Sequence, residues 1–554
     1  DTSRRKIQAA IGKKQEVLDR AGKEIVAWSR ENFDKLSPKA RDLYRRAFTI
    51  NDQDPDFHDL ATLSYKDGGV DRELPVPKGD VLRQFREDVS TGNLPTVSWL
   101  CSAQNFSDHP SAPWYGSLYV SEVMDILTKD PEVWRKTIFI VTFDENDGYF
   151  DHVPPFVAPD PLHPETGKCS KGIDTDVEYI RLENELKEGI PKRAARGGPI
   201  GLGFRVPMLI ASPWSRGGQV CSEVVDHTSI LQFMEGFMEK KWGKNIREEN
   251  ISKWRRTITG DLTAVFKAYQ GTAEEKLPFL KKDPFIEKIY NAKFKETPSD
   301  FKPLTDAEIA VINRDPSSST LMPRQETGIR PSTPLPYQLY GEGKLSGDKR
   351  SFEINLSASD AVFGKGAAGA PFNVYIPVKY RAGGKAAGGQ DLFTSVGSRS
   401  YAVTAGDRLT DVWPVADFEH GIYHLQVYGP NGWFREFRGT KDDPDIAVLC
   451  DYEYRKGLLR KLSGNIELKV KNLDPGQSYQ LTVTDNAYGN GRIQKTLEHA
   501  GAKAERSIIL DLAKHFCWYD FTIHIAGFDH FERRYAGRVE TGKSGFTDPV
   551  MGRV

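Results

Sequence analysis

Over residues 4–48 the apolar positions fall at helical spacing: Ile7, Ala10 and Ile11 share one face, and Ile25, Val26 and Trp28 extend it. Ser37-Pro38 predicts an N-cap with proline in the first turn of a new helix. Residues 50–95 are polar and broken by Pro and Gly, with one helical piece around Val81 to Val89. From Thr96 to about Glu239 short β-branched runs alternate with helical ones. Strands are predicted at Thr96–Cys101, Thr137–Phe143 and Arg205–Ala211, and helices at Gly116–Leu127 and Thr228–Met238. Such alternation predicts an α/β fold around a mostly parallel sheet. A proline- and charge-rich insertion occupies residues 155–200, and residues 240–330 are charged, partly helical and linker-like.

After about residue 335 the texture changes to short alternating strands with Gly-rich turns. A motif then recurs. Gly421-Ile-Tyr423-His-Leu-Gln-Val427 parallels Trp518-Tyr519-Asp-Phe-Thr-Ile523, and Arg435-Glu-Phe437-Arg-Gly439 parallels Arg533-Arg-Tyr535-Ala-Gly537. The offset is 96 residues between the tyrosines and 98 between the glycines. Near-constant spacing predicts two tandem β-sandwich units, with Tyr423 and Tyr519 in equivalent places. The expected division is 1–330, 335–445 and 446–554.

Composition narrows the class. The 554 residues carry 76 basic and 77 acidic side chains, a net charge of −1, which argues against a nucleic-acid partner. No apolar run approaches the roughly 20 residues that span a bilayer. The five cysteines are scattered without C-x-x-C spacing, so neither a disulfide framework nor a zinc signature is present.

Chemistry concentrates in Thr142–Pro155, TFDENDGYFDHVPP. Asp144, Glu145 and Asp147 follow the buried-strand run Thr137–Val141, and ligands in open α/β sheets bind beyond strand C-termini. Adjacent carboxylates there suit a hard cation or a phosphate, with Gly148 ending the strand so that both acids can turn the same way. A solvated turn is the alternative, since Asp, Asn and Gly are ordinary turn residues. His109, just past the predicted strand Thr96–Cys101, has the type and place to donate to a phosphoryl oxygen or a leaving group. His152 either lines the same pocket or caps its turn. His227 precedes a helix for which Asp226 is a ready N-cap.

This segment resembles the signature of bacterial phospholipases C of the phosphocholine-preferring type, which are related to a group of acid phosphatases. Leu94-Pro-Thr-Val-Ser-Trp99, Ser107-Asp-His-Pro110, Asp130-Pro-Glu-Val-Trp134 and Asp226-His-Thr-Ser229 follow in the family's order, and the two C-terminal repeats resemble its paired C-terminal domains. The resemblance implies an alkaline-phosphatase-like core sheet and release of phosphocholine and diacylglycerol from phosphatidylcholine-type lipids. It implies a divalent metal held partly by Asp144 and Glu145, with an active-site histidine at His109; Asp144, Glu145 and His109 are expected to converge on one pocket at the sheet's C-terminal edge, and His152 and His227 are further catalytic candidates. Asp108 stands where the family has Glu, which alters an orienting contact. Trp114, Tyr115 and Tyr149 are candidates to meet a quaternary ammonium headgroup.

The resemblance further implies a phospholipid substrate, transient contact with a membrane surface, and a periplasmic or secreted location. Glu31-Asn32 superficially matches the family's N-terminal metal motif but lies in a charged helix with no strand before it, and is read as structural. No strand-to-helix turn presents a Ser or Thr nucleophile. The expectation is that the nucleophile and remaining metal ligands lie upstream, and that the chain alone is inactive. A phosphomonoesterase, or a binding module on an inactive scaffold, are the rival readings.

Overall fold

The computed structural model describes residues 2–47, 51, 54–109, 114–269, 280–322, 328–385, 391–455 and 461–551. They form two compact units, one of residues 1–137 with 271–301 and one of residues 138–270 with 302–554.

In the first unit, helices span Thr2–Ala27, Arg30–Asp34 and Pro38–Arg46. The Ser37 hydroxyl accepts from the Ala40 amide and Pro38 opens the helix, as its fixed φ favours. Asn32 donates back to the carbonyls of Val26 and Ala27, so Glu31-Asn32 sits in a helix junction. Residues 50–95 hold a hairpin that hydropathy did not announce, β1 (Leu60–Asp67) with β2 (Val70–Pro77). Its two-residue turn is Gly68-Gly69, both at positive φ, the chemistry that a tight hairpin turn demands. Leu63, Tyr65, Leu74 and Val76 of the hairpin pack with Leu118 of helix Tyr115–Lys129 and with Ile286.

Thr96–Cys101 is not a strand. The stretch is irregular, and Val97, Trp99 and Leu100 are exposed. Among the described residues nothing pairs with it, and a strand forms only where a neighbour satisfies its backbone groups.

The second unit opens with β3 (Phe139–Thr142); later come β4 (Gly167–Cys169) and β5 (Met208–Ala211). β3 and β5 pair with each other, Phe139 opposite Ala211 and Thr142 opposite Met208. The pairing is antiparallel, which corrects the expected parallel arrangement. Two short apolar strands look alike in either direction, and only the path between them decides. That path runs out to the β-rich region before returning. β4 joins its sheet at Ser400–Ala402, and Gly167 there is obligatory because a Cβ would meet the Ser400 carbonyl. Ser170 adds two further bonds, to Ala402 and Thr404.

From Leu339 the chain is mostly β. Strands β6 (Leu339–Leu345), β7 (Ser351–Ala358), β8 (Ala370–Ile376), β9 (Gly397–Val403), β10 (Asp407–Pro414), β11 (Tyr423–Tyr428) and β12 (Phe434–Gly439) form one set. A second set holds β13 (Ile446–Tyr454), β14 (Leu462–Asn472), β15 (Tyr479–Asp485), β16 (Arg492–Leu497), β17 (Glu505–Leu510), β18 (Trp518–Ile525) and β19 (Glu532–Arg538). Strand order is the same in both. β10-β7-β6 matches β17-β14-β13, and β9-β8-β11-β12 matches β16-β15-β18-β19. Each set encloses its own apolar core. Tyr423 lies opposite Gly439 and Tyr519 opposite Gly537, the same pairs that recur in sequence.

β12 and β19 then pair, joining the four-stranded sheet of each set, with β4 at one edge, into one nine-stranded sheet. Two buried arginines cross this junction reciprocally. Arg435 donates to the Tyr519 hydroxyl at 3.0 Å and the Ala536 carbonyl at 2.9 Å. Arg533 donates to the Tyr423 hydroxyl and the Arg438 carbonyl, both at 2.6 Å. No helix among the described residues is long and apolar enough to cross a membrane.

Candidate functional site

β3 ends at Thr142, and the next residues leave the sheet. Asp144 and Glu145 are both exposed, and among the described residues neither carboxylate is held by a hydrogen bond or ion pair. Asp147 accepts from the Tyr149 amide and Asn146 donates to the Tyr149 carbonyl, closing a turn on Gly148 at φ 83°. The turn therefore uses Asn146 and Asp147 and leaves the adjacent pair Asp144-Glu145 available. Exposed, unpaired carboxylates are suitable hard donors for a divalent cation. They are two donors only: among the described residues no three His, Cys, Asp or Glu side chains gather into a metal-holding group.

His227 stands at the first turn of helix Asp226-capped His227–Trp242, and its Nε2 lies 2.8 Å from the Phe143 carbonyl. A carbonyl only accepts, so Nε2 carries the proton and Nδ1 is the nitrogen left for other work. The helix start is fixed by a capping box between Asp226 and Ser229. Arg255 holds the cap from behind, at 2.7 Å from Asp226 and in two bonds to Glu178. Asp226 is thus a cap and an ion-pair partner.

His152 points its Nδ1 at Asp151 Oδ1, 3.0 Å away, and its ring is exposed. Asp151 is gripped by Arg205 through bonds of 2.6 and 3.0 Å, and the guanidinium holds its carboxyl far below the usual carboxylate range. Asp151 thus stands between the Arg205 guanidinium and the exposed His152 ring. Arg205 was missed from sequence. Its place after a Gly-Leu-Gly-Phe turn gave no signal, because the contact to Asp151 spans 54 residues. Nearby Phe150 is almost fully exposed and meets Phe204 edge-on, and Tyr149 is exposed beside it.

His109, Trp114 and Tyr115 belong to the first unit. His109 is exposed and follows Asp108, whose φ is 58°. Asp108 accepts from the Gly116 amide at 2.7 Å and so caps helix Tyr115–Lys129, while any Cβ at residue 116 would strike that carboxylate. Trp114 is exposed at φ 75°. Tyr115 packs against Phe106 and the small core around Leu118. Ser212 is spent in a turn with Trp214 and Ser215, and Ser229 in the capping box.

Glu223, four residues before His227, is a carboxyl that sequence reading passed over. Its Oε2 has no hydrogen-bond partner among the described residues, and burial, with Asp261 nearby, pushes the acid up to about 7. An acid raised in the folded state holds its proton there after the unfolded chain has lost it. Stability is therefore full below the ordinary value of 4.5 and falls as pH rises towards 7. Glu223→Gln is expected to raise stability at pH 8 by about 3 kcal/mol and to leave it unchanged at pH 4. Thermal or urea unfolding at the two pH values checks this.

Comparison with known proteins gives the class. Residues 70–241 match the phosphoesterase family, and residues 331–440 and 446–538 match the bacterial phospholipase C C-terminal domain. The chain thus carries a phosphoesterase-family segment followed by the C-terminal domain matches of bacterial phospholipases C, and is similar to those proteins. It is 36% identical over 489 residues to the non-hemolytic phospholipase C of Pseudomonas aeruginosa, covering 85% of this chain and 60% of that protein. Identity is 34% over 478 residues with the non-hemolytic phospholipase C of Burkholderia pseudomallei, covering 85% and 59%. With the hemolytic phospholipase C of Pseudomonas aeruginosa it is 30% over 544 residues, covering 95% and 63%. The chain spans about three fifths of the length of these relatives.

Proposed function

We propose that this chain works in a phospholipase C that cleaves the glycerol-side phosphodiester of phosphatidylcholine-type lipids, releasing diacylglycerol and phosphocholine. The observation that carries the reading is the strand end itself: two adjacent carboxylates without a partner among the described residues, with a histidine of fixed tautomer anchored one residue before them. The phosphoesterase match supports the reaction class, and the names of the relatives support the lipid substrate.

Asp144 and Glu145 would hold a divalent cation, which when bound supplies positive charge to the non-bridging phosphoryl oxygens. His152, beside Asp151, offers Nε2 as the group that takes or returns a proton at the leaving alkoxide. His227 offers Nδ1 to a phosphoryl oxygen. His109 is assigned to the same chemistry, with Trp114, Tyr115 and Tyr149 as candidate contacts for the headgroup. The nucleophile is not among these side chains. Residues 1–330 are read as the phosphoesterase part, and 335–445 and 446–554 as its paired β-sandwich domains. The site would act on a membrane surface from a periplasmic or extracellular position.

The test is the product spectrum of the protein on phosphatidylcholine. Phosphocholine and diacylglycerol, formed at a rate that a chelator lowers, are the expected result. Release of choline, or of inorganic phosphate from phosphocholine alone, would overturn the reading, the second outcome marking a phosphomonoesterase.

A further inference from the structure

His227 is aimed at the strand end by the hydrogen bond from its Nε2 to the Phe143 carbonyl. The capping box that starts its helix is local to Asp226 and Ser229. A capping box fixes the shape of a first turn, not where that turn stands against another element. What holds the turn against β3 is a short neighbouring helix, Lys253–Ile258.

One face of this short helix is seated on the first β-set. Trp254 and Ile258 are 0% and 1% exposed and pack with Ala402 of β9. Gly369, just before β8, runs so close that a Cβ there would stand 2.6 Å from the Thr257 carbonyl. The other face grips the helix that carries His227. Arg256 takes both oxygens of the buried Glu235, at 2.9 and 2.8 Å, and Gln232 donates to the Thr259 hydroxyl at 3.1 Å. The Gly260 amide, two residues past the end, donates to the Val224 carbonyl at 2.8 Å. Arg255 makes the contact nearest to His227. Its Nη1 lies 2.7 Å from Asp226 Oδ2, while Nε and Nη2 fork onto the buried Glu178, each at 2.9 Å.

These contacts divide the work. Arg256 and Thr259 hold the body of the long helix, since Glu235 lies more than two turns beyond Asp226. Arg255 holds its first turn. Asp226 Oδ1 is taken by the Thr228 amide and hydroxyl, so one carboxylate oxygen serves the cap and the other the arginine. A guanidinium suits this place, because its rigid fork fits Glu178 and still leaves a donor for Asp226, whereas an ammonium has no such fixed geometry. A shift of the first turn by about 1 Å would be enough to break the bond from the ring to Phe143, the residue before Asp144.

We propose that Arg255 is a positioning residue for His227, and that the first β-set, on which the short helix is seated, thereby sets the geometry of the strand end. The inference rests on the reading of His227 as a site residue.

Nitrogen-15 spectra of the chain with labelled histidine test this, the His227 signals being those that His227→Gln removes. At pH 8 the ring in the parent should show one tautomer, with the proton on Nε2. Two mild variants loosen the Arg255 contact. Asp226→Asn keeps an oxygen for the cap, at which Asn serves as well as Asp, and gives up the ion pair. Arg255→Lys keeps the charge and loses the fork. Each should turn the His227 pattern into an average of the two tautomers, and averaging in either one supports the proposal. Arg399→Met is the control for lost stability. It breaks a largely buried pair with Asp411 on the face of β9 opposite Ala402, and Lys168 still neutralises the acid. It should lower the unfolding temperature and leave the His227 pattern as in the parent.

Turnover is a separate arm. In a form of the protein that cleaves phosphatidylcholine, Arg255→Lys should lower kcat by about tenfold or more and leave KM within about twofold. An averaged ring with unchanged turnover upholds the positioning and removes His227 from the reaction, a failure of the functional reading alone. The proposal is overturned if the parent ring is already averaged, if both Asp226→Asn and Arg255→Lys keep the proton on Nε2, or if Arg399→Met averages the ring to the same degree.

Discussion

Exchanging Asp144 for Asn and Glu145 for Gln together is expected to lower turnover of phosphatidylcholine by about 10²–10³-fold, the range seen when one element of transition-state charge stabilisation is removed. The fold should be unaffected. Both side chains are exposed and hold nothing else among the described residues, so unfolding temperature and circular dichroism should match the parent. His152→Gln gives an internal comparison. It removes the imidazole that stands beside Asp151, and it should lower kcat. A double carboxamide variant that keeps full turnover would remove the strand end from the mechanism. Steady-state kinetics with and without added divalent cations read the difference.

Arg533→Met is expected to destabilise the second unit by about 3–5 kcal/mol, the cost of breaking a buried ion pair from one side. Arg533 and Asp443 are both buried and pair at 3.2 Å, with the Tyr423 hydroxyl hydrogen-bonded between them to Asp443. Removing the cation strands a carboxylate away from water. Arg435→Met is the control that makes the argument specific. Arg435 sits in the matching place over the rings of Trp433 and Tyr535, yet no carboxylate pairs with it among the described residues. Its loss leaves the Tyr519 hydroxyl and the Ala536 carbonyl short of a donor, for about 1–3 kcal/mol. Urea titrations of both variants should place Arg533→Met clearly below Arg435→Met. Equal losses would mean that the buried charge pair is not what makes the junction costly to break.

Much of this was legible beforehand because it is local. Helix Tyr115–Lys129, the Ser37-Pro38 start, the Asp226 cap and the run that becomes β3 are each specified by neighbours within a few residues. The recurrence of Tyr423 and Gly439 as Tyr519 and Gly537 is also a sequence fact, and it returned as matched strand pairs. Asp144 and Glu145 are candidates because of their place after an apolar run, and that place is where the chain leaves the sheet.

Tertiary structure alone decided the rest, for reasons of distance and direction. Strand direction is invisible in a four-residue apolar run, so the antiparallel β3–β5 pair could not be read in advance. Thr96–Cys101 has strand composition but lacks a partner among the described residues, and propensity without pairing does not make a strand. Arg205 on Asp151, Arg255 on Asp226 and the crossed Arg435 and Arg533 join residues tens to about a hundred positions apart. Charge composition says only that such residues exist. Which cation meets which carboxylate, and which carboxylates are left free for chemistry, follows from the packing that brings them together.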